Sequence, residues 1–248
     1  MTTTRYDRIG RSYTQTRRTE PRIQARIDAA LGNARRVVNV GAGTGSYEPV
    51  GRDVVAVEPS PTMIGQRAPG AAPVVRAYAE ALPFPKGTFD AALAVFTAHH
   101  WTDPERGLRE LARVAKRQVV LSFEEAADER FWLIADYFRE VAPLDDDRGY
   151  TPEAIGRALD MRRVEQVPVP ADCVDGFMAC YWNRPEAYLD PAVQAGISGL
   201  ARLDPSDREG MTAKLRADLE SGAWDAKHGH LRTLSELDVG YVLIVSGD

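Results

Sequence analysis

The chain has 248 residues, 44% of them hydrophobic and 27% charged, a balance that suits one well-buried domain with room for a smaller lobe and excludes a disordered chain. A formal net charge of -5 repels a phosphate backbone and sets nucleic acid aside as a partner. No apolar run approaches the roughly 20 residues of a bilayer span, and the opening Met1-Thr2-Thr3-Thr4-Arg5 lacks a signal-peptide core, so a cytoplasmic protein with no membrane partner is expected.

In chain order, the arginines at 17, 18, 35 and 36 read as solvated helix faces and a helix C-terminus. Residues 37–40 form a β-branched run that ends in glycines, the first buried strand. Residues 54–57, 73–78, 91–96 and 118–123 give four more strands, identified by their length and bounding turn residues. Between the first two strands, Ser46 to Gly51 leaves space for a helix of about one turn, because Pro49 and Gly51 interrupt it. Asp103 followed by Pro104 marks a helix start, and Leu108, Leu111, Ala112 and Ala115 recur at helical spacing after it. A second helix is expected over 128–141, with Phe131, Ile134, Ala135 and Phe138 on one face. Residues 239–245 are a strong β run that closes the chain, with 162–169 as its partner.

Strands alternating with helices call for an α/β fold with a mostly parallel sheet covered on both faces. Residues 170–236 break that rhythm with aromatics among prolines and glycines, and with amphipathic helices near 190–200 and 208–219. They read as a helical lid inserted before the last strand. The expected organisation is a helical cap at 1–34, a core at 35–169, the lid at 170–236 and the final strand at 237–248. Cys173 and Cys180, without a matching histidine cluster, predict buried reduced thiols and no metal site.

The chemistry is concentrated in Gly41-Ala42-Gly43-Thr44-Gly45, where missing side chains let backbone turn tightly and approach a ligand. A dinucleotide fingerprint needs a third glycine at the place of Ser46, which counts against NAD. Glu58 stands at the end of the second strand, 17 residues after Gly41, where a carboxylate accepts both hydroxyl hydrogens of an adenosine ribose. That ribose is common to NAD, FAD and S-adenosylmethionine.

Asn39 to Gly45, then Ala56-Val57-Glu58-Pro59-Ser60 with Met63, resemble the first two motifs of class I S-adenosylmethionine-dependent methyltransferases. Ala79-Glu80-Ala81-Leu82-Pro83-Phe84-Pro85 with Phe89-Asp90 resembles the segment around that family's third and fourth strands. The resemblance is to the ubiquinone-biosynthesis and trans-aconitate methyltransferase-like group and covers residues 35–125, about a third of the chain. It implies a Rossmann-like sheet of seven strands with the last one antiparallel, and S-adenosyl-L-methionine as cofactor. It also implies that Gly41, Ala42, Gly43 and Gly45 line the methionine part and that Glu58 holds the ribose. Pro59 and Met63 pack near the adenine, Ala79 offers its N–H with Glu80 beside it, and Phe96 and Thr97 meet the methionine portion. Tyr6 to Tyr13 with Arg17 resembles the family's N-terminal cap, which would bring Tyr13 or an arginine to the cofactor's carboxylate; the alternative is an amphipathic helix that merely packs, with Tyr6 and Tyr13 seven apart on one face. The chain departs from many relatives at Tyr78, where an acid is usual, leaving ring stacking or a phenol hydrogen bond to the adenine.

Methyl transfer from a sulfonium is an in-line displacement and needs a base only where the acceptor starts protonated. His99 and His100 follow the fourth strand at the carboxyl edge of the sheet, so either is a catalytic base or a structural cap of the next helix. In the lid, Asp175, Tyr181, Trp182, Trp224 and His228 either shape a substrate pocket or form the lobe's own core. The leading expectation is methyl transfer to O, N or C of a small-molecule acceptor. The alternatives are a nicotinamide or flavin oxidoreductase and a non-catalytic nucleoside-binding protein.

Overall fold

The computed structural model describes residues 17–124, 130–144 and 151–247. The N-terminal cap segment with Tyr6 and Tyr13, and residues 128–129 of the expected second helix, lie outside them.

Seven strands make one sheet: β1 (Arg36–Val40), β2 (Asp53–Val57), β3 (Val74–Val75), β4 (Phe89–Val95), β5 (Ala115–Phe123), β6 (Met161–Gln166) and, last in the chain, β9 (Tyr241–Gly247). Their order is β3-β2-β1-β4-β5-β9-β6, parallel except for β9, which runs antiparallel between β5 and β6. Alternation along each strand sorts the side chains to two faces. Val37, Leu93, Val119, Leu121 and Leu243 face one core, and Val38, Ala92, Val120, Val242 and Ile244 the other. Because both faces are covered, the central strands read as continuous apolar runs rather than alternating ones.

Helix α1 (Pro21–Leu31) covers the first face with Ile23, Ile27 and Leu31. Three further helices follow: the one-turn α2 (Pro61–Ile64), then α3 (Pro104–Val114) and α4 (Pro152–Leu159). The second face is closed by α3 and α4, with Leu108, Leu111, Ile155 and Leu159. Asp103 caps α3 by accepting from Arg106 N at 2.9 Å, so neither histidine has that task. The buried face of α3 is Gly107, Leu108, Leu111 and Val114, while Ala112 is exposed. Ala115 belongs to β5, because the chain passes from helix to strand without a loop.

Three expectations fail here. β3 shrinks to two residues at the sheet edge, where only β2 pairs with it. The chain between β1 and β2 makes turns and no helix at all. The stretch after β5 is a π-helical turn (Leu133–Tyr137) and a 3-10 segment (Arg139–Leu144) instead of a regular helix. Phe131, Trp132, Leu133 and Ile134 are all buried, so consecutive side chains point into protein and no single apolar stripe exists.

The chain leaves the sheet through β7 (Val169–Pro170) and returns through β8 (Glu236–Leu237), which pair antiparallel at the neck of the intervening segment. That segment holds α5 (Pro191–Gly196), α6 (Ser198–Ala201), α7 (Pro205–Ser221) and α8 (Ala223–His228). Trp182, Tyr188 and Trp224 are fully buried in its interior, and Trp132 reaches in from beside β5 to stack edge-on with Trp224 at 5.2 Å. Cys173 and Cys180 are buried free thiols. Contact with Cys173 and burial push the Cys180 thiol up, which keeps it protonated. Among the described residues, no helix is long and apolar enough to cross a membrane.

Candidate active site

The chain turns from β1 to β2 and β3 on one side and then to β4 on the other, so a crevice opens at the carboxyl ends of β1 and β4. Gly41 and Ala42 both donate to Val57 O (2.8 and 3.1 Å), folding the loop back over the end of β2. Gly41 sits at φ 70, and a Cβ there would lie 1.9 Å from Thr97 Oγ1, so only glycine fits. Gly43 N donates to Glu58 Oε2 at 2.9 Å, and Ser60 N donates to Glu58 Oε1 at 2.8 Å. These two bonds hold the Glu58 carboxylate toward the glycine loop and the start of α2. Ser60 also caps α2 by accepting from Met63 N at 3.3 Å, which brings Met63 up beside Gly43.

These residues surround a cavity of about 300 Å3. Gly41, Ala42, Gly43, Glu58, Pro59 and Met63 line one side. Tyr78, Ala79, Glu80, Phe96, Thr97 and His100 line the other. Gly45 does not: it stands further along the loop at φ 102, against Glu48 and Arg67, which pair with each other. Glu80 accepts from Thr102 N (2.7 Å) and Asp103 N (3.1 Å), so it fixes the loop below the cavity rim. Asn39, Ser46, Tyr47 and Thr102 also line the cavity and were not foreseen. Asn39 had a signal, since a polar residue inside an apolar strand run wants a partner. Tyr47 had none.

A second cavity of about 100 Å3 adjoins the first, and Arg17, Phe96 and His100 line both. Phe96 holds φ 49, a left-handed conformation that costs about 1–2 kcal/mol for a non-glycine residue. Its ring is wedged between Phe177 (5.4 Å) and Tyr241 (5.1 Å), which keeps the backbone there. The His99 and His100 rings touch at 3.7 Å between centroids, with His99 in the second cavity only and against Phe123 at 5.2 Å. Trp101 packs on Gly107 of α3 and donates from Nε1 to Thr97 Oγ1 at 3.3 Å.

Arg17 is not the solvated arginine that composition suggests. Its Nε donates to Asp175 Oδ1 at 2.7 Å and its Nη2 to Oδ2 at 3.2 Å, with the Arg17 side chain only 9% exposed. Asp175 is fully buried and also accepts from the Tyr47 hydroxyl at 2.8 Å and from Gly176 N at 2.6 Å. Burial and the Asp175 charge raise the Tyr47 phenol, which stays a donor. Asp175, Tyr181, Trp182, Trp224 and His228 line neither cavity. The aromatics are the segment's core, and His228 bonds Asp136 at 2.7 Å.

An open α/β sheet with a glycine loop, and an acid at the end of the adjoining strand, is the architecture of a nucleoside-binding protein of Rossmann-like type. A methyltransferase-domain family model matches residues 38–123. An uncharacterized methyltransferase of Mycobacterium tuberculosis is 40% identical over 89 residues, 34% of this chain and 36% of the relative. The demethylmenaquinone methyltransferase of Thermus thermophilus is 34% identical over 135 residues, 48% of this chain and 61% of the relative. The mycobacterial match thus spans about a third of the relative's length. Over most of the chain, a crystal structure described as a candidate methyltransferase of an antibiotic biosynthesis pathway from Anabaena variabilis superposes with a TM-score of 0.83. It is 31% identical, with 94% of this chain and 100% of that one covered. The chain belongs to the S-adenosylmethionine-dependent methyltransferase family.

Proposed function

We propose that the chain transfers the methyl group of S-adenosyl-L-methionine to a small-molecule acceptor held between the sheet edge and the 171–235 segment. The observation that carries this reading is the meeting of two cavities at Arg17, Phe96 and His100. The donor's nucleoside belongs in the larger one: Glu58 takes the ribose hydroxyls, and Pro59, Met63 and Tyr78 flank the adenine beside the Ala79 backbone. Gly41 and Gly43 leave room for the methionine portion, with Arg17 on the side of its carboxylate. When bound, the sulfonium supplies the methyl electrophile. The protein's part is to hold the acceptor atom in line with it, exclude water and receive a proton at His100 when the acceptor carries one.

A dinucleotide fits less well. With no helix after the glycine loop, a pyrophosphate would find no helix N-terminus to face. The second cavity also favours turnover over a purely nucleoside-binding role, because it offers an acceptor a place beside the donor. The Thermus relative is by name a demethylmenaquinone methyltransferase, which supports a small-molecule acceptor here. The test is transfer of a labelled methyl from S-adenosylmethionine into a metabolite extract. Label in a small organic product is expected; label in no product, from protein that binds the donor, would contradict enzymatic turnover.

A further inference from the structure

Asp175 lines neither cavity, yet it is fully buried and gathers donors from the N-terminal stretch, from the chain just after the glycine loop and from its own turn. Its Oδ1 accepts from Arg17 Nε (2.7 Å), Arg18 N (3.1 Å) and Gly176 N (2.6 Å), and its Oδ2 from Arg17 Nη2 (3.2 Å) and the Tyr47 hydroxyl (2.8 Å). An ion pair taken out of water adds little net stability over apolar side chains of the same volume. What a bidentate pair supplies is direction, because its two parallel bonds fix the plane of the guanidinium. Here that guanidinium belongs to Arg17, which lines both cavities where they meet. The carboxylate is itself braced. Tyr47 stands at φ 63, a left-handed conformation for a non-glycine residue, with its N–H on Thr19 Oγ1 at 3.2 Å and its hydroxyl on Asp175.

We infer that Asp175 is a positioning residue for the methyl donor, acting through Arg17 on the end of the larger cavity that takes the amino-acid group of S-adenosylmethionine. This rests on the methyltransferase reading above. Asp175 itself touches no ligand. Its charge holds the Arg17 fork at the junction of the cavities, with the side chain only 9% exposed, instead of letting it extend into solvent. The donor's carboxylate then meets a cation whose plane is set before binding, so little ordering of a long side chain remains to be done. A nucleoside without the amino-acid group gains nothing from that arrangement. Through Asp175 the 171–235 segment takes part in holding the donor, although the family match ends at residue 123.

The test titrates the full chain with S-adenosylhomocysteine and with 5′-methylthioadenosine, which shares the nucleoside and the sulfur and lacks the amino-acid group. Asp175→Asn is close to isosteric. With its amide oxygen at the place of Oδ1, the bonds from Arg17 Nε, Arg18 N and Gly176 N persist, and the Tyr47 hydroxyl turns to accept. What it loses is the charge and the bond from Arg17 Nη2. It should weaken S-adenosylhomocysteine about ten-fold, the order expected for a bond to a charged group, and leave 5′-methylthioadenosine unchanged. Arg17→Ala should show the same split, and adding Asp175→Asn to it should weaken S-adenosylhomocysteine no further. Tyr47→Phe withdraws one donor from Asp175 and keeps the ion pair, so it should split the two ligands in the same direction and by less. With Arg17→Ala it decides the case if Asp175→Asn does not fold. Equal weakening of both ligands, unchanged S-adenosylhomocysteine affinity in folded Asp175→Asn, or full additivity in the double variant would overturn the inference. A wild-type chain that binds neither nucleoside would overturn the donor reading itself.

Discussion

Glu58 carries two duties with one carboxylate, orienting the glycine loop through Gly43 N and facing the cavity. Glu58→Ala should weaken S-adenosylhomocysteine binding by about 1–3 kcal/mol, the loss expected for charge-assisted hydrogen bonds, and calorimetry on folded variant reads it directly. Unchanged affinity would assign the ribose to another group. Gly41→Ala confronts both a positive φ and Thr97, whose hydroxyl is already engaged by Trp101. It should cost about 2–4 kcal/mol in urea unfolding, and adding Thr97→Ala should recover part of that loss. Asp175→Ala should cost about 3–5 kcal/mol, because Arg17 would lose its carboxylate in a site where its side chain is 9% exposed. Gly41 and Glu58 were legible because loop and strand end are neighbours in sequence as well as in space. The Tyr47–Asp175 bond was not, since its partners stand 128 residues apart and neither has a local pattern that names the other.

At the scale of elements, Glu20 joins α1 to the segment beyond β7. It caps α1 through Arg22 N (3.2 Å), pairs with Arg22 Nε (2.6 Å) and accepts from Val174 N (3.0 Å) while fully buried. Burial pushes its carboxyl up, but hydrogen bonds from Arg22 and Val174 outweigh this and hold it below the ordinary glutamate value. A depressed folded value stabilises the protein above the unfolded pKa and is lost as pH falls through the folded one. The protection factor of the Val174 amide, its exchange relative to the unprotected rate at the same pH, should therefore fall as acid protonates Glu20, and Glu20→Gln should flatten that acid response. Strands β1, β2, β4, β5 and β9 were legible as buried runs bounded by turn residues. The stretch after β5 was not, because Trp132 donates from Nε1 to Trp182 O at 2.8 Å, a tertiary demand that overrides helical spacing.

Across the whole molecule, the 171–235 segment and one face of the sheet share a continuous core, from Ile23 and Val119 through Trp132 to Trp224. Urea unfolding followed by tryptophan fluorescence and by far-ultraviolet circular dichroism should give coincident transitions, and two separate transitions would show independent lobes. The family match ends at residue 123, whereas the walls of the second cavity come from scattered positions that only the fold assembles. The larger cavity is proposed to take a sulfur nucleoside. Calorimetric titration of the purified chain with S-adenosylmethionine, S-adenosylhomocysteine and NAD in parallel tests it most directly. Micromolar binding of the two sulfur nucleosides with none of NAD is the expected result; binding of NAD alone would contradict the account.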